Sequence, residues 1–297
     1  MAIPRFQKSD PAADVAAAVL EHGVAIVESL YPAELTEGVL KEGSPHLANA
    51  EVGNGAFFGN SSKNVPGVIR WSPSYRKMLM DPLFLEIGDR TLGPNSVDGK
   101  WTFSAAILFS VASSASIPDG THLQPLHTDD TNYPQNVKKP GDAPIVMSAG
   151  FGLTDYSAET GATRFIVDGH RRDNDRPLTE REAETESAEM PAGSVLFYLG
   201  SIPHGFGINR TSEPRCGISL INCVGWLRQE ENLYISVPAE DAVHYPETLI
   251  QKLGYATQGL ALGMVMGRRS DNLFMEANDD DLQAELDEAV KAGRPLG

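Results

Sequence analysis

His127-Thr128-Asp129 sets an imidazole and a carboxylate two positions apart, and His204 supplies a second imidazole well downstream. Two imidazoles and one carboxylate can hold Fe(II) on one face and leave the other coordination positions open for a cosubstrate and O2. On an extended strand, side chains two apart point the same way, so His127 and Asp129 can reach one ion while Asp130 points away. Two neutral imidazoles and one carboxylate carry a single negative charge, which leaves the iron Lewis-acidic. Arg215, a short distance past His204, offers a planar fork that pairs bidentately with a carboxylate such as that of a keto acid. If buried near a metal it needs that partner, because desolvating an unpaired charge is costly. This is the toolkit of an iron(II), 2-oxoglutarate-dependent oxygenase.

Each piece taken alone is unspecific. A single His-x-Asp arises by chance, His204 lies in a Pro-His-Gly turn that could be an ordinary loop, and Arg215 has many acidic residues to pair with. Gln124 and Thr163 can donate to carboxylate oxygens but are by themselves ordinary polar residues. His22, His46, His122, His170 and His244 lack a partner at useful spacing, so structural roles are expected for them.

The elements that must position these groups follow from periodicity and punctuation. Ala12 to His22 reads as a helix stopped by Gly23, followed by a short buried strand at Val24 to Val27. A second helix is expected from Pro32 to about Glu42, then a long Gly- and Asn-rich loop over 43–70. Ser72-Pro73 and Asp81-Pro82 open two more helices. From Lys100 the pattern becomes strand-like: Trp101 to Val111, Ile145 to Leu153, Ala162 to Val167, Ser194 to Leu199 and Gly217 to Val224. His204 is expected at the end of the fourth of these. Helical patterning returns from Pro246 to about Met266, and Asp280 to Ala292 has the charge alternation of an exposed helix. With no repeat and no convincing linker, one domain over 1–297 is expected: a β sandwich or barrel at about 100–230, wrapped by helices from both ends.

Composition narrows the partners. Forty acidic against 24 basic residues give a net charge of −16, which disfavours nucleic acid and anionic membranes. The runs Glu180, Glu182, Glu184, Glu186, Glu189 and Asp279-Asp280-Asp281 read as solvated faces and loops. An apolar content of 41% suffices for a sizeable core. No stretch approaches the about 20 apolar residues of a membrane helix, and the N-terminus lacks a signal-peptide core. The two cysteines, Cys216 and Cys223, fit free buried thiols in a reducing compartment. A soluble cytoplasmic protein acting on a small molecule is expected, and the apolar helical flanks would allow a homodimer.

The ordered segments Gln124-Pro125-Leu126-His127-Thr128-Asp129-Asp130, Glu159-Thr160-Gly161-Ala162-Thr163-Arg164-Phe165-Ile166-Val167-Asp168-Gly169-His170, Met190-Pro191-Ala192-Gly193-Ser194-Val195 and His204-Gly205-Phe206-Gly207-Ile208-Asn209-Arg210-Thr211, with Arg215, resemble the phytanoyl-CoA dioxygenase family. The resemblance covers roughly residues 100 to 230 strongly and the flanks weakly. It implies a mainly β fold with flanking helices and a double-stranded β-helix (jelly-roll, cupin-like) core. It further implies Fe(II), 2-oxoglutarate and O2 as the oxidising set. His127, Asp129 and His204 match the family's metal ligands, Arg215 the arginine on the distal carboxylate of 2-oxoglutarate, and Gln124 and Thr163 positions that help hold it. Asp168 departs from the family's usual Gly or Pro-Gly followed by Ser, which leaves His170 no role beyond a turn. Halogenating relatives lose the carboxylate that Asp129 retains, so hydroxylation, desaturation or a related C–H oxidation is implied.

The chain is similar to fungal and bacterial members that tailor secondary metabolites, which implies a small, largely apolar substrate. The alternative substrate is an acyl-CoA ester, for which the basic residues Arg70, Arg76 and Lys77 are sparse. Two further alternatives are a non-oxidative jelly-roll binding or isomerase protein and a relative kept for assembly only. The loop over 43–70 and the segment after Leu227 are expected to wall the substrate site, with Phe57, Phe58, Trp71, Trp226 and Tyr234 as apolar lining.

Overall fold

Two sheets face one another across the residues singled out above. The computed structural model describes residues 2–53, 55, 57, 62–112, 123–133, 142–171, 177–265 and 270. Its strands are β1 (Arg5–Gln7), β2 (Val24–Glu28), β3 (Ser62–Pro66), β4 (Trp101–Val111), β5 (Val146–Gly152), β6 (Thr163–Phe165), β7 (Glu186–Ser187), β8 (Val195–Leu199), β9 (His204–Phe206) and β10 (Arg215–Val224). The large sheet has the order β1-β2-β8-β5-β10-β4-β3, antiparallel except for the β1–β2 pair. The small sheet runs β7-β6-β9 and is extended by an antiparallel bridge between His127 and His204. Facing antiparallel sheets of this kind, one large and one small, form a double-stranded β-helix.

Period-2 alternation divides the large sheet's two faces. One face, with Ala149, Phe151, Phe197, Ile218 and Leu220, packs on helices α1 (Ala12–His22), α2 (Ala33–Asn49), α4 (Pro73–Leu79) and α5 (Pro82–Leu92) in the main core. The other face, with Ile26, Phe109, Leu196 and Tyr198, meets Phe165, Val167, Tyr156 and Met190 in a second apolar cluster between the sheets. The functional side chains project into this second space.

Helix boundaries follow their caps. Gly23 takes φ 82° to end α1, with its N–H on the Val19 carbonyl. The Ser72 hydroxyl accepts from Tyr75 N at the start of α4, and the Asp81 carboxylate from Leu83 N at the start of α5, each just before a proline.

The 43–70 stretch differs from the expected loop. Helix α2 continues to Asn49 through Gly43 and Pro45, and β3 and a one-turn helix α3 (Val68–Trp71) follow. Tertiary packing overrides the weak local propensity: a Cβ on Gly43 would lie 2.4 Å from Leu108 Cδ2, so the bare glycine lets the helix close on β4. The expected helix after Pro246 is also shorter. One turn, Glu247–Ile250, passes into a π turn over Gln251–Tyr255, where Gly254 turns to φ 97°. The Asp280–Ala292 segment, Phe58 and His122 lie outside the described residues. Cys216 and Cys223 are both free and buried. Among the described residues no helix is long and apolar enough to cross a membrane.

Candidate metal and cosubstrate site

The bridge that extends the small sheet brings the two histidines together. His127 N donates to the His204 carbonyl at 2.9 Å and His204 N returns a bond to the His127 carbonyl at 3.0 Å, which locks the two histidines side by side. Their ring centroids are 4.4 Å apart. Asp129 was expected on the same strand as His127; instead it opens a short 3-10 turn, Asp129–Asn132, after an extended Thr128 (φ −126°, ψ 139°). The extended residue between them still directs both side chains to one place. His204 begins its own strand, β9, in the small sheet rather than ending β8.

Asp129 Oδ1 lies 3.7 Å from His127 Nε2 and 3.6 Å from His204 Nε2. One donor atom from each of the three falls within 4.8 Å of the others, the spacing of ligands around one ion, and this is the group of its kind among the described residues. Asp130 does not join it.

The surroundings fix each donor. His127 Nδ1 is 3.0 Å from the Pro125 carbonyl and His204 Nδ1 is 3.0 Å from the Ile202 carbonyl. A carbonyl only accepts, so each Nδ1 carries the proton and each Nε2 presents its lone pair to the shared point. Burial, then the neighbouring His204 ring, lower the His127 pKa to about 4 against the pull of Asp129, which keeps the imidazole neutral and able to ligate. Ser148 Oγ donates to Asp129 Oδ2 at 2.6 Å, leaving Oδ1 for the metal side. Phe165 stacks on His204 with centroids 5.6 Å apart, and the Tyr198 ring is 4.7 Å from it.

Arg215, the first residue of β10, is 1% exposed, yet its Nε and both Nη atoms have no hydrogen-bond partner among the described residues. Its guanidinium lies among the rings of Tyr156, Phe206 and Phe109, with Cζ 4.5, 4.9 and 5.2 Å from their centroids. Burial lowers its pKa, with Tyr156 opposing. A buried guanidinium surrounded by ring faces and lacking acceptors calls for an anionic ligand.

Thr163 on β6 is opposite Phe206 on β9, two pairs along from Phe165 opposite His204, so the four side chains share the inner face. Gln124 is buried, but its Oε1 accepts from Phe206 N at 2.9 Å, and its carbonyl accepts from the Arg164 guanidinium at 3.0 Å. It ties the chain before His127 to β9. Of the other histidines, His22 pairs with Asp168 at 3.0 Å, His46 stacks on Trp71 and His170 Nε2 is 3.2 Å from the Leu20 carbonyl. Sequence reasoning missed Ser148, Tyr156 and Tyr198. Ser148 and Tyr198 come from β5 and β8, where register sets them opposite one another, and Tyr156 from an isolated bridge with Met190.

The expected lining residues separate. Phe57 sits edge-on to the His127 ring with centroids 4.6 Å apart. Trp71 packs away on His46 and donates to the Pro66 carbonyl. Trp226 and Tyr234 border a cavity of about 400 Å³ whose described lining includes none of the metal triad.

A jelly roll with this donor set and a ligand-starved arginine describes an iron(II), 2-oxoglutarate-dependent dioxygenase. Comparison with known proteins agrees. The family model for phytanoyl-CoA dioxygenase (PhyH) matches residues 19–217. The dioxygenase olcK of Penicillium canescens is 27% identical over 281 residues, covering 90% of each chain. The dioxygenase aneA of Aspergillus aculeatus is 29% identical over 275 residues, covering 87% of this chain and 89% of its own. Among solved structures, the epimerase SnoN in complex with Fe3+, alpha ketoglutarate and nogalamycin RO superposes with a TM-score of 0.59 at 17% identity, covering 87% of this chain and 97% of SnoN. The alpha ketoglutarate dependent carbocyclase SnoK from nogalamycin biosynthesis gives 0.55 at 16% identity, covering 75% and 88%. The chain belongs to the phytanoyl-CoA dioxygenase (PhyH) family. It is an oxidoreductase that uses iron and 2-oxoglutarate.

Proposed function

We propose that His127, Asp129 and His204 hold the iron, that Arg215 grips the distal carboxylate of 2-oxoglutarate, and that the substrate is a small, largely apolar secondary metabolite. The observations that carry this are the convergence of two Nε2 lone pairs and one carboxylate oxygen, and a buried guanidinium against Phe206, two residues past His204, that has no acidic partner among the described residues. When bound, Fe(II) and 2-oxoglutarate supply O2-driven oxidation of a C–H bond, with succinate and CO2 as coproducts. The chain's own residues do the positioning. Pro125 and Ile202 carbonyls set the histidine tautomers, Ser148 orients Asp129, and Phe165 and Tyr198 shield His204 from water. Thr163 and the NH2 of Gln124 would serve the cosubstrate as additional donors.

The apolar character of the substrate rests on the inner face beside the site. Ile221 is opposite Ser148 and Ile107 is opposite Ser219, and both isoleucines remain partly accessible although they belong to central strands. A CoA ester is disfavoured because two of the three basic candidates are engaged. Arg70 pairs with Asp241 at 2.8 Å, and Arg76 donates to the Ile69 and Arg70 carbonyls. SnoN and SnoK are named as an epimerase and a carbocyclase, so this architecture accommodates outcomes beyond hydroxylation.

The test is iron stoichiometry together with succinate formation. One Fe(II) per chain and 2-oxoglutarate-dependent succinate release are expected, both abolished in His204→Ala and Asp129→Ala. Normal turnover in either variant refutes the ligand assignment.

A further inference from the structure

We propose that Tyr156 is a second anchor for the far carboxylate of 2-oxoglutarate, its phenol hydroxyl donating to the same anion that Arg215 grips; this rests on the reading of Arg215 given above. Two buried polar groups without partners stand side by side. The Tyr156 hydroxyl has no hydrogen-bond partner among the described residues, and the side chain is 3% exposed. The Arg215 guanidinium lies 4.5 Å from the Tyr156 ring, and among the described residues neither group has a polar partner outside this pair. One such group is a packing cost; two adjacent ones that a single carboxylate could satisfy form a built site.

The backbone around them is shaped for that hydroxyl. Gly217, two residues after Arg215 and so on the same face of β10, would place a Cβ 2.0 Å from the Tyr156 oxygen. Any side chain there would displace the hydroxyl from its position. Tyr156 is held by reciprocal backbone bonds with Met190, its N donating to the Met190 carbonyl at 2.8 Å and its carbonyl accepting from Met190 N at 2.9 Å. Burial pushes the phenol pKa up to about 12, so the group keeps its proton and can donate. A guanidinium and a phenol together also discriminate. An acid with a second carboxylate at this reach satisfies both groups, and one without it leaves both unpaired in an apolar wall of Phe109 and Phe206.

The experiment is anaerobic calorimetric titration of the Fe(II)-loaded protein with 2-oxoglutarate and, separately, with pyruvate, a 2-oxo acid lacking the second carboxylate. Wild type, Tyr156→Phe and Arg215→Met are compared. Tyr156→Phe keeps the ring against the guanidinium and removes only the hydroxyl. It should weaken 2-oxoglutarate binding roughly tenfold or more, the scale of one hydrogen bond to a charged group. Pyruvate binding should change by less than about twofold. The melting temperature of the metal-free variant checks that the fold is retained.

Unchanged 2-oxoglutarate affinity in Tyr156→Phe, with a large loss in Arg215→Met, overturns the role of Tyr156 and leaves the arginine grip standing. Unchanged affinity in Arg215→Met removes the underlying reading itself. An equal loss for pyruvate and 2-oxoglutarate in Tyr156→Phe overturns the inference by placing the effect at the metal end.

Discussion

Ser148 on β5 donates to Asp129 Oδ2 at 2.6 Å, so the carboxylate that faces both histidines through Oδ1 is aimed from a strand distant in sequence. Ser148→Ala should leave the three ligands in place but free Asp129 to rotate. The expected loss is roughly 10- to 100-fold in Fe(II) affinity, the usual effect of removing an outer partner of a ligand. Anaerobic Fe(II) titration against a competing chelator measures it. Wild-type affinity in the variant would mean the turn at Asp129 already holds the carboxylate.

Gly161 should be intolerant of any side chain. It takes φ 77°, and a Cβ would lie 2.6 Å from the Gly207 carbonyl oxygen and 2.7 Å from Ile208 C, backbone atoms that cannot swing aside. Left-handed strain of about 1–2 kcal/mol adds to the overlap, so Gly161→Ala should cost about 2–4 kcal/mol in total. Urea unfolding checks this. A loss below about 1 kcal/mol would show that the 207–209 turn can move.

The grouping of His127, Asp129 and His204 was readable because a metal site restricts residue types and an extended residue sets the His-x-Asp spacing. Arg215 drew notice for its residue type and spacing, and the structure buries it. Helices α1, α4 and α5 announce themselves through Gly23, Ser72-Pro73 and Asp81-Pro82. What escaped reading is set by distant partners. Helix α2 runs through Gly43 and Pro45, where Leu108 on β4 packs into the space a Cβ on Gly43 would take. Strand β1 exists through its pairing with β2, and β3 through its pairing with β4. Ser148 and Tyr156 carry no local mark at all. Their importance lies in what stands across from them, which register decides and periodicity does not.

Lys252 gives a pH dependence of stability with a definite sign. Its Nζ lies 3.5 Å from the Trp101 ring centroid and 3.5 Å from Asp89 Oδ1. Burial lowers its pKa from 10.5 to about 8, against the pull of Asp89. Between these two values the unfolded chain binds the extra proton, so this lysine makes stability rise with pH from about 8 to 10.5. Cys223 acts oppositely: burial raises its thiol from 9.0 to about 11, so its contribution falls as pH rises across that interval. The difference between wild type and Lys252→Met isolates the lysine. The stability advantage of the variant should shrink steadily from pH 8 to pH 10, as followed by chemical denaturation. A pH-independent difference would mean that the Trp101 face and Asp89 fully replace the lost hydration.

Arg215 should trade stability for ligand binding. Its three ring contacts contribute about 0.5–2 kcal/mol each, but ring faces cannot accept the in-plane N–H bonds of a guanidinium. Without ligand the charge is buried and has no acidic partner among the described residues, so replacing it with an apolar chain of similar length should stabilise the free protein. Arg215→Met is therefore expected to raise the melting temperature of the metal-free protein, by the equivalent of roughly 1–4 kcal/mol. With iron and 2-oxoglutarate the order should reverse. At a ligand concentration 1,000 times Kd, wild type gains about 4.1 kcal/mol, and the variant, unable to bind the far carboxylate, gains little. Thermal unfolding of both proteins, with and without the cosubstrate, should give curves that exchange places. If Arg215→Met melts lower than wild type in every condition, the guanidinium supports the fold directly, and the two sheets need its charge even before a ligand arrives.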